Sequence, residues 1–182
     1  MYPPNVVKTM LLFTAALVST LVNAGSHNHH HEQKPHVHGH SEIQLVMSQN
    51  QIKLHFESPA NNIVGFEHSA HSNKEKQQVL SAKKTLSSAD SLFIFKGTRC
   101  SATSSTVNMS ALLHEHKNNH NEVSAQYQFT CDSVEKLKTI NIQLFKYFKN
   151  IEEINVQWIS PNNQGLEILT PTKSLLNIGQ LL

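Results

Sequence analysis

The chain has 182 residues, of which 15 are Lys or Arg, 13 are Asp or Glu and 13 are His. A hydrophobic fraction of 38% with a formal net charge of +2 excludes a wholly disordered chain, because disorder requires low hydrophobicity and high net charge. Basic and acidic residues nearly balance, so we expect no nucleic-acid binding, and the large number of His residues directs attention to imidazole chemistry.

Residues 1–24 have the layout of a secretory signal peptide. Lys8 precedes an uncharged, mostly apolar run from Met10 to Val22, and the small residues Ala24 and Gly25 follow. The run is shorter than the roughly 20 residues that a membrane-spanning helix needs. We therefore expect cleavage after Ala24 and no stable membrane insertion afterwards, with an uncleaved N-terminal anchor as the alternative.

Residues 25–35 are predicted to form a His-rich arm, and residues 36–182 a single domain of ordinary size. Between Gly25 and His40, 7 of 16 residues are His. Such a polar segment would act as a solvated capture arm that raises the local metal concentration by tethering. Four of its side chains are possible secondary metal ligands: His27, His29, His30 and His31.

Period-two alternation of apolar and polar residues predicts a β-hairpin after the arm, formed by residues 43–47 and 52–56. A two-residue turn at positions 49–50 would pair Ile43 with Phe56 and place every apolar side chain opposite another one. If the first strand extends backwards, Val37 continues its apolar face.

The same backward extension would direct three imidazoles, those of His36, His38 and His40, to the polar face of the first strand. Imidazoles that point to one side can share a cation, so the spacing predicts a metal site. On the same face of the second strand, His55 is a possible secondary ligand. The alternative is a solvated strand face that is rich in His by coincidence.

A carboxylate and two imidazoles stand just before the next predicted element: Glu67, His68 and His71. Ser72 and Glu75 have the spacing of a capping box, which predicts a helix over residues 74–88. Imidazole and carboxylate within a few residues suit a borderline metal ion such as zinc, so these three residues join the predicted metal site. Capping and surface roles are the alternative.

The second half of the chain carries several further strand patterns and short helical turns after Asp132 and at residues 145–148. One main helix among many strands predicts an α+β fold with largely antiparallel sheet in a single domain. The predicted strands cover residues 91–95, 123–131, 139–144, 154–159 and 166–170.

Cys100 and Cys131 are the only cysteines in the sequence. An even count in an exported chain predicts one disulfide, with a thiolate metal or redox pair as the alternative. The polar stretch between them, residues 101–121, is predicted to be a loop, with a helical turn possible at residues 111–117. It carries three possible secondary metal ligands: His114, His116 and His120.

Several short motifs occur in an order that resembles the ZrgA-type family of zinc-regulated periplasmic zinc-binding proteins of Gram-negative bacteria. The resemblance spans the chain from His36 to the C-terminus. It implies a periplasmic protein that binds zinc and assists zinc uptake together with an inner-membrane transport complex. The motifs are His36-Val37-His38-Gly39, Gly65-Phe66-Glu67-His68, the two cysteines, Leu144-Phe145 and Val156-Gln157-Trp158-Ile159.

This chain departs from the family in one respect. Members carry a long His- and Asp-rich insert after the first cysteine, whereas here only residues 114–120 stand in that place and they contain no Asp. The histidines are concentrated instead in the N-terminal arm.

We therefore predict a protein that binds Zn(II) and is not an enzyme. Cu(II) and Ni(II) also favour imidazole, so an envelope protein that binds these ions is an alternative. A metal-dependent hydrolase needs three fixed ligands, an open water position and a general base, and the chain contains neither His-Glu-x-x-His nor Gly-x-Ser-x-Gly. An interaction module with an incidental His-rich arm is the purely structural alternative.

Overall fold

The structure is a computed structural model that describes residues 37–114 and 121–178. The predicted signal peptide and the His-rich arm lie outside the described residues. So do seven of the predicted metal ligands, which are His27, His29, His30, His31, His36, His116 and His120. In the described part of the chain, no helix is long and apolar enough to cross a membrane.

The predicted hairpin is confirmed in its register. Strand β1 (His40–Ser48) runs antiparallel to β2 (Gln51–Pro59) around a two-residue turn. Ile43 lies opposite Phe56, as predicted, and both side chains are fully buried. Alternation fixes this register, because a slip of one residue would move the whole apolar set to the solvent side.

The backward extension of the first strand is wrong. The chain turns at His38 and Gly39, where Gly39 has a φ of 84°, and the amide of His40 donates to the carbonyl oxygen of Val37 at 3.1 Å. A positive φ breaks the period-two alternation on which the extension relied. Val37 is consequently 58% exposed and does not continue the apolar face.

The remaining described strands are β3 (Phe93–Lys96), β4 (Cys100–Asn108), β5 (Glu122–Cys131), β6 (Thr139–Ile142), β7 (Glu153–Ile159), β8 (Gln164–Leu169) and β9 (Leu175–Asn177). The hairpin lies at the centre of a six-stranded sheet with the order β4-β5-β2-β1-β7-β8, and β3, β6 and β9 form a second, three-stranded sheet. All of these pairings are antiparallel except that of β1 with β7, which is parallel.

Helix α2 is the main helix and begins where the sequence predicts. It spans Asn73–Ser87, and its capping box is complete, with Ser72 and Glu75 each bonding the backbone amide of the other. The other helical segments are short: α1 (Ala60–Val64), α3 (Ala89–Leu92), α4 (Ser110–Leu113), a 3-10 turn (Val134–Lys136) and α5 (Leu144–Tyr147). The predicted α+β class, with largely antiparallel sheet and one main helix, is confirmed.

Two secondary-structure predictions for the second half of the chain are corrected. The stretch that follows Cys100 is the edge strand β4 and not a loop, although the helical turn expected within it is present as α4. The strand predicted over residues 91–95 begins only at Phe93, because Leu92 ends a helical turn. Strand β9 was not predicted.

The predicted disulfide is confirmed. Cys100 at the start of β4 lies directly opposite Cys131 at the end of β5, with their Cα atoms 4.0 Å apart. The bond therefore fastens the edge strand β4 to β5, the strand with which it pairs.

The two faces of the six-stranded sheet differ. One face is covered by the hydrophobic core, which includes Leu45 of β1, Leu54 of β2 and Val156 of β7. The opposite face, which we call the open face, carries the alternate side chains of the same strands. On β1 and β2 these include His40, Glu42, Gln44, Val46, Ser48, Gln51, Lys53, His55 and Glu57, all partly or largely exposed.

Candidate metal site

The turn that carries His38 is held by a buried amide side chain. Asn62 in α1 is 2% exposed and accepts a hydrogen bond from the Gly39 amide at 2.8 Å. Its own Nδ2 donates to the carbonyl oxygen of His40 at 2.8 Å and to Ser58 Oγ at 3.3 Å. One side chain thus fixes the backbone around Gly39, directly after His38.

His38 meets Glu67, two predicted ligands that are far apart in sequence. His38 Nε2 lies 2.9 Å from Glu67 Oε1, and the side chains are 63% and 16% exposed, respectively. The contact links the start of the described chain to the turn before α2. An imidazole and a carboxylate in contact at the surface are a usual donor pair for zinc.

His40 contacts a different carboxylate. Its Nδ1 lies 3.2 Å from Glu153 Oε1 at the start of β7, on the open face of the sheet. The turn at Gly39 separates His38 from His40, so these two imidazoles do not follow the shared strand face that the spacing predicted. His36 lies outside the described residues.

His68 and His71 stack on each other in the turn before α2, with ring centroids 5.4 Å apart. His68 Nδ1 lies 2.9 Å from the carbonyl oxygen of Ser69, which accepts a hydrogen bond when that nitrogen carries the proton. That tautomer leaves the lone pair on Nε2, as in most metal-binding histidines. His68 Nε2 faces Glu75 Oε1 at 4.0 Å.

Glu75 divides its two carboxylate oxygens between separate tasks. Oε2 accepts hydrogen bonds from the amides of His71 and Ser72, both at 2.9 Å, while Oε1 faces His68. The backbone hydrogen bond from Ser72, together with the one from His71, lowers the pKa of Glu75 below its ordinary value. The carboxylate is therefore ionised over the whole neutral range and is available as an oxygen ligand.

The two residues that flank positions 115–120 are both anchored at this turn. Ser69 Oγ donates to the carbonyl oxygen of His114 at 2.8 Å, and Asn121 Nδ2 donates to the carbonyl oxygen of Glu67 at 2.7 Å. His114 and Asn121, between which the second group of histidines stands in the sequence, are thus both held at the turn that carries Glu67 and His68.

His55 lies on the open face, away from the turn. Its Nε2 is 3.5 Å from Glu57 Oε1 on the same strand. The structure therefore brings together His38 with Glu67, and His68 with His71, but it places His40 and His55 with other carboxylates. Among residues 37–114 and 121–178, no three His, Cys, Asp or Glu side chains are gathered as a ready metal site.

Three residues that contribute to these arrangements were not among the predicted site residues. On the sequence Glu75 is predicted only as a helix cap, and its nearness to His68 and His71 is the signal that indicates a further role. Glu153 and Asn62 had no sequence signal, because their partners come from strands or turns that are distant in the chain.

The chain is similar to a known protein family. A family model described as a ZrgA family zinc uptake protein covers residues 35–178, which is most of the chain and includes every described residue. The matched span contains the turn that carries Glu67 and His68 as well as both cysteines. A search among curated proteins finds no match.

Proposed function

Because this chain belongs to the ZrgA family of zinc uptake proteins, we propose that it captures Zn(II) in the periplasm through clustered histidines and assists zinc uptake. The proposed primary site lies at the turn before α2 and comprises Glu67, His68 and His71 with His38. The other two predicted ligands, His36 and His40, precede and follow His38 in the sequence.

The observation that carries this proposal is the 2.9 Å contact between His38 and Glu67. It places an imidazole from the N-terminal turn beside the segment Glu67–His71, which holds two more. Zinc takes nitrogen ligands at about 2.0–2.1 Å and carboxylate oxygens at about 2.0–2.2 Å, so tetrahedral ligand atoms lie about 3.3 Å apart. The distance between His38 Nε2 and Glu67 Oε1 is close to this separation, so a small side-chain movement would let both atoms bind one ion.

Glu75 supports the same site from its other side. The distance of 4.0 Å between His68 Nε2 and Glu75 Oε1 exceeds the ligand separation in a zinc site by less than an ångström, so a side-chain rotation can bring both atoms onto one ion. The capping hydrogen bonds use Oε2 and leave Oε1 for the metal.

The position of the turn also suits a transfer role. Val37, from which the chain continues to the His-rich arm, directly precedes His38, and positions 115–120 begin and end at the same turn. Ions first bound by His residues in these segments would be released close to the primary site. Tethering of this kind raises the effective concentration without any new contact.

The first prediction concerns zinc binding at this turn. Replacing His38, His68 and His71 together by Ala removes three nitrogen ligands, so we expect the tightest zinc-binding step to weaken by more than the roughly 10- to 100-fold typical of outer-shell changes. The measurement is isothermal titration of metal-free mature protein with Zn(II) at neutral pH, with an affinity-tag-free preparation.

The matched control replaces Gln77 and Gln78, two exposed side chains of α2, by Ala and should leave the titration unchanged. A wild-type stoichiometry below one, or equal affinities in the triple variant and the control, would refute the proposed site. Competition by Cu(II) and Ni(II) at buffered free concentrations shows whether zinc is the preferred cargo, since intrinsic affinity favours copper.

A further inference from the structure

The two edge strands of the six-stranded sheet differ in how they meet solvent. Strand β4 is rich in Ser and Thr, and its register with β5 is broken between Ala102 and Ser104. Polar side chains and breaks of this kind keep an edge strand from pairing with another chain. Strand β8 pairs with β7 without a break, and it exposes Leu166 and Ile168 to solvent. The β8 edge therefore lacks the protection that the β4 edge has.

The backbone of β8 has a free side. Strand β8 is the last strand of the sheet, and among the described residues no backbone group of Gln164–Leu169 bonds to a partner outside β7. In an antiparallel strand, alternate residues direct their amide and carbonyl groups away from the neighbouring strand. These groups form a template to which a further strand can be added.

An apolar patch lies on the open face next to this edge. Val46 of β1 lies beside Ile159 of β7, and Leu166 lies opposite Gln157, the residue that precedes Ile159 on the same face. Ile168 follows Leu166 on the same side of β8. These four aliphatic side chains are 42% to 58% exposed, and they are half of the eight large exposed apolar side chains among the described residues. Such a concentration is typical of an interaction surface.

The charges on β8 do not select a partner of opposite charge. Glu167 is the only charged residue of the strand, and its carboxylate is bonded to the ammonium group of Lys173. The edge therefore carries an internally balanced ion pair, which attracts neither an acidic nor a basic partner. A second copy of the same strand meets no net charge there.

Strand β8 is also complementary to itself. In an antiparallel pair around a two-fold axis, each residue faces a residue of the same strand in the second copy. In the register centred on Leu166, that side chain faces its own counterpart, and Gln164 faces Ile168. Glu167 faces Gly165, so the two carboxylates do not lie directly opposite each other, where like charges would be destabilising.

We propose that two copies of this chain associate by antiparallel pairing of their β8 strands, which joins the two six-stranded sheets across a two-fold axis. Leu166 and Ile168 of both copies would then lie together on the open face, next to Ile159. Pro161 and Pro171 flank β8, and Pro cannot donate to a strand ladder, so the pairing is confined to this short strand. The surface shares no residue with the proposed zinc site.

The short strand predicts a reversible dimer. Stable complexes bury about 800 Å² on each partner, more than one short strand pair provides, so the dimer should dissociate on dilution. The test is sedimentation velocity of the full mature chain from about 1 μM to 1 mM protein, the range in which weak association is measured. Chelator is present throughout, because a zinc ion shared by His side chains of two copies would link them independently of β8.

Leu166→Lys is the test variant, because a charge at an edge strand opposes pairing. The wild type should shift from monomer to dimer as its concentration rises, and the variant should have a dissociation constant at least tenfold higher. Leu80→Lys is the matched control, since Leu80 is a similarly exposed side chain on α2. It should dimerise as the wild type does.

Amide hydrogen exchange of the wild type provides a second measurement that needs no substitution. Protection of residues 164–169 should increase with protein concentration, as β8 gains a partner strand. A wild type that stays monomeric throughout would overturn the proposal and would leave this edge to a strand of a different protein. Equal dissociation constants in Leu166→Lys and Leu80→Lys, or a dimer without added protection at β8, would overturn it as well.

Discussion

At the scale of single residues, Asn62 connects the fold to the proposed capture site. A carboxamide can donate and accept at once, and Asn62 uses both functions, toward the Gly39 amide and the His40 carbonyl oxygen. A side chain of similar size with only one function would make only one of these two hydrogen bonds. The residue thus ties the backbone next to His38 to the packing of α1.

The buried position of Asn62 allows a quantitative prediction. Asn62→Ala removes its hydrogen bonds to the Gly39 and His40 backbone, and a buried group without a partner costs about 1–3 kcal/mol. We expect the free energy of unfolding of the metal-free protein to fall by about that amount, as measured by urea denaturation. Zinc binding at the turn should weaken as well, because the His38 turn loses its anchor.

Asn61→Ala, at the neighbouring and more exposed position, is the control and should change both quantities much less. Equal losses of stability in the two variants would show that the helix in general, and not the hydrogen bonds of Asn62, is responsible.

The candidate ligands were partly predictable from the sequence. Glu67, His68 and His71 stand out because they lie together just before a recognisable capping box. His38 and Glu67 are both among the predicted ligands, but the sequence does not specify that these two side chains meet, since they are joined only through the tertiary fold. The pairing of His40 with Glu153 depends on the parallel strand pair and has no local signal.

At the scale of secondary-structure elements, the predictions that rest on side-chain alternation and helix capping are correct. The hairpin register follows from side-chain alternation, and the start of α2 follows from the Ser72 cap. Strand β4 is not predictable from alternation, because it is an edge strand rich in Ser and Thr. Its side chains are largely exposed, so its sequence does not alternate between apolar and polar residues. Its conformation results from pairing with β5.

The disulfide compensates for this weak apolar contribution of β4. Reducing the bond, or replacing Cys100 and Cys131 by Ser, opens a covalent loop with a sequence separation of 31 residues. On the chain-entropy model, we expect the free energy of unfolding to fall by about 3–4 kcal/mol. Urea denaturation with and without reductant measures the loss.

The double Ser variant serves as its own control, because reductant should not change its stability. If the unfolding midpoint of the wild type does not change after full reduction, verified by thiol titration, the disulfide does not compensate for the weak apolar contribution of β4.

At the scale of the whole molecule, we expect the fold to form without metal. A continuous hydrophobic core that includes the fully buried Phe56 and Phe129, together with the disulfide, underlies the described part of the chain. This differs from small zinc-dependent domains, which are unfolded without their ion. The proposed ligands lie on the surface of a scaffold that is already formed.

We therefore predict cooperative thermal unfolding of the chelator-treated protein and a higher melting temperature with zinc. A ligand at 100 times its dissociation constant stabilises the native state by about 2.7 kcal/mol, which corresponds to about 5–10 °C for a chain of this size. Calorimetry in chelator and in buffered zinc provides the measurement.

Loss of cooperative unfolding in chelator would mean that zinc is structural. An unchanged melting temperature in saturating zinc would favour an interaction module with an incidental His-rich arm over a zinc-capture protein.

The parallel pairing of β1 with β7 has a consequence for the time course of folding. Strand β1 pairs with β2 through a short turn, but its other edge is completed only by Glu153–Ile159, near the end of the described chain. The loop-closure entropy for this pairing is lost before its contacts form, so we expect folding on the millisecond-to-second timescale of non-local β topologies. Until β7 arrives, the hairpin exposes an unpaired edge with apolar side chains, and aggregation competes with folding during that interval.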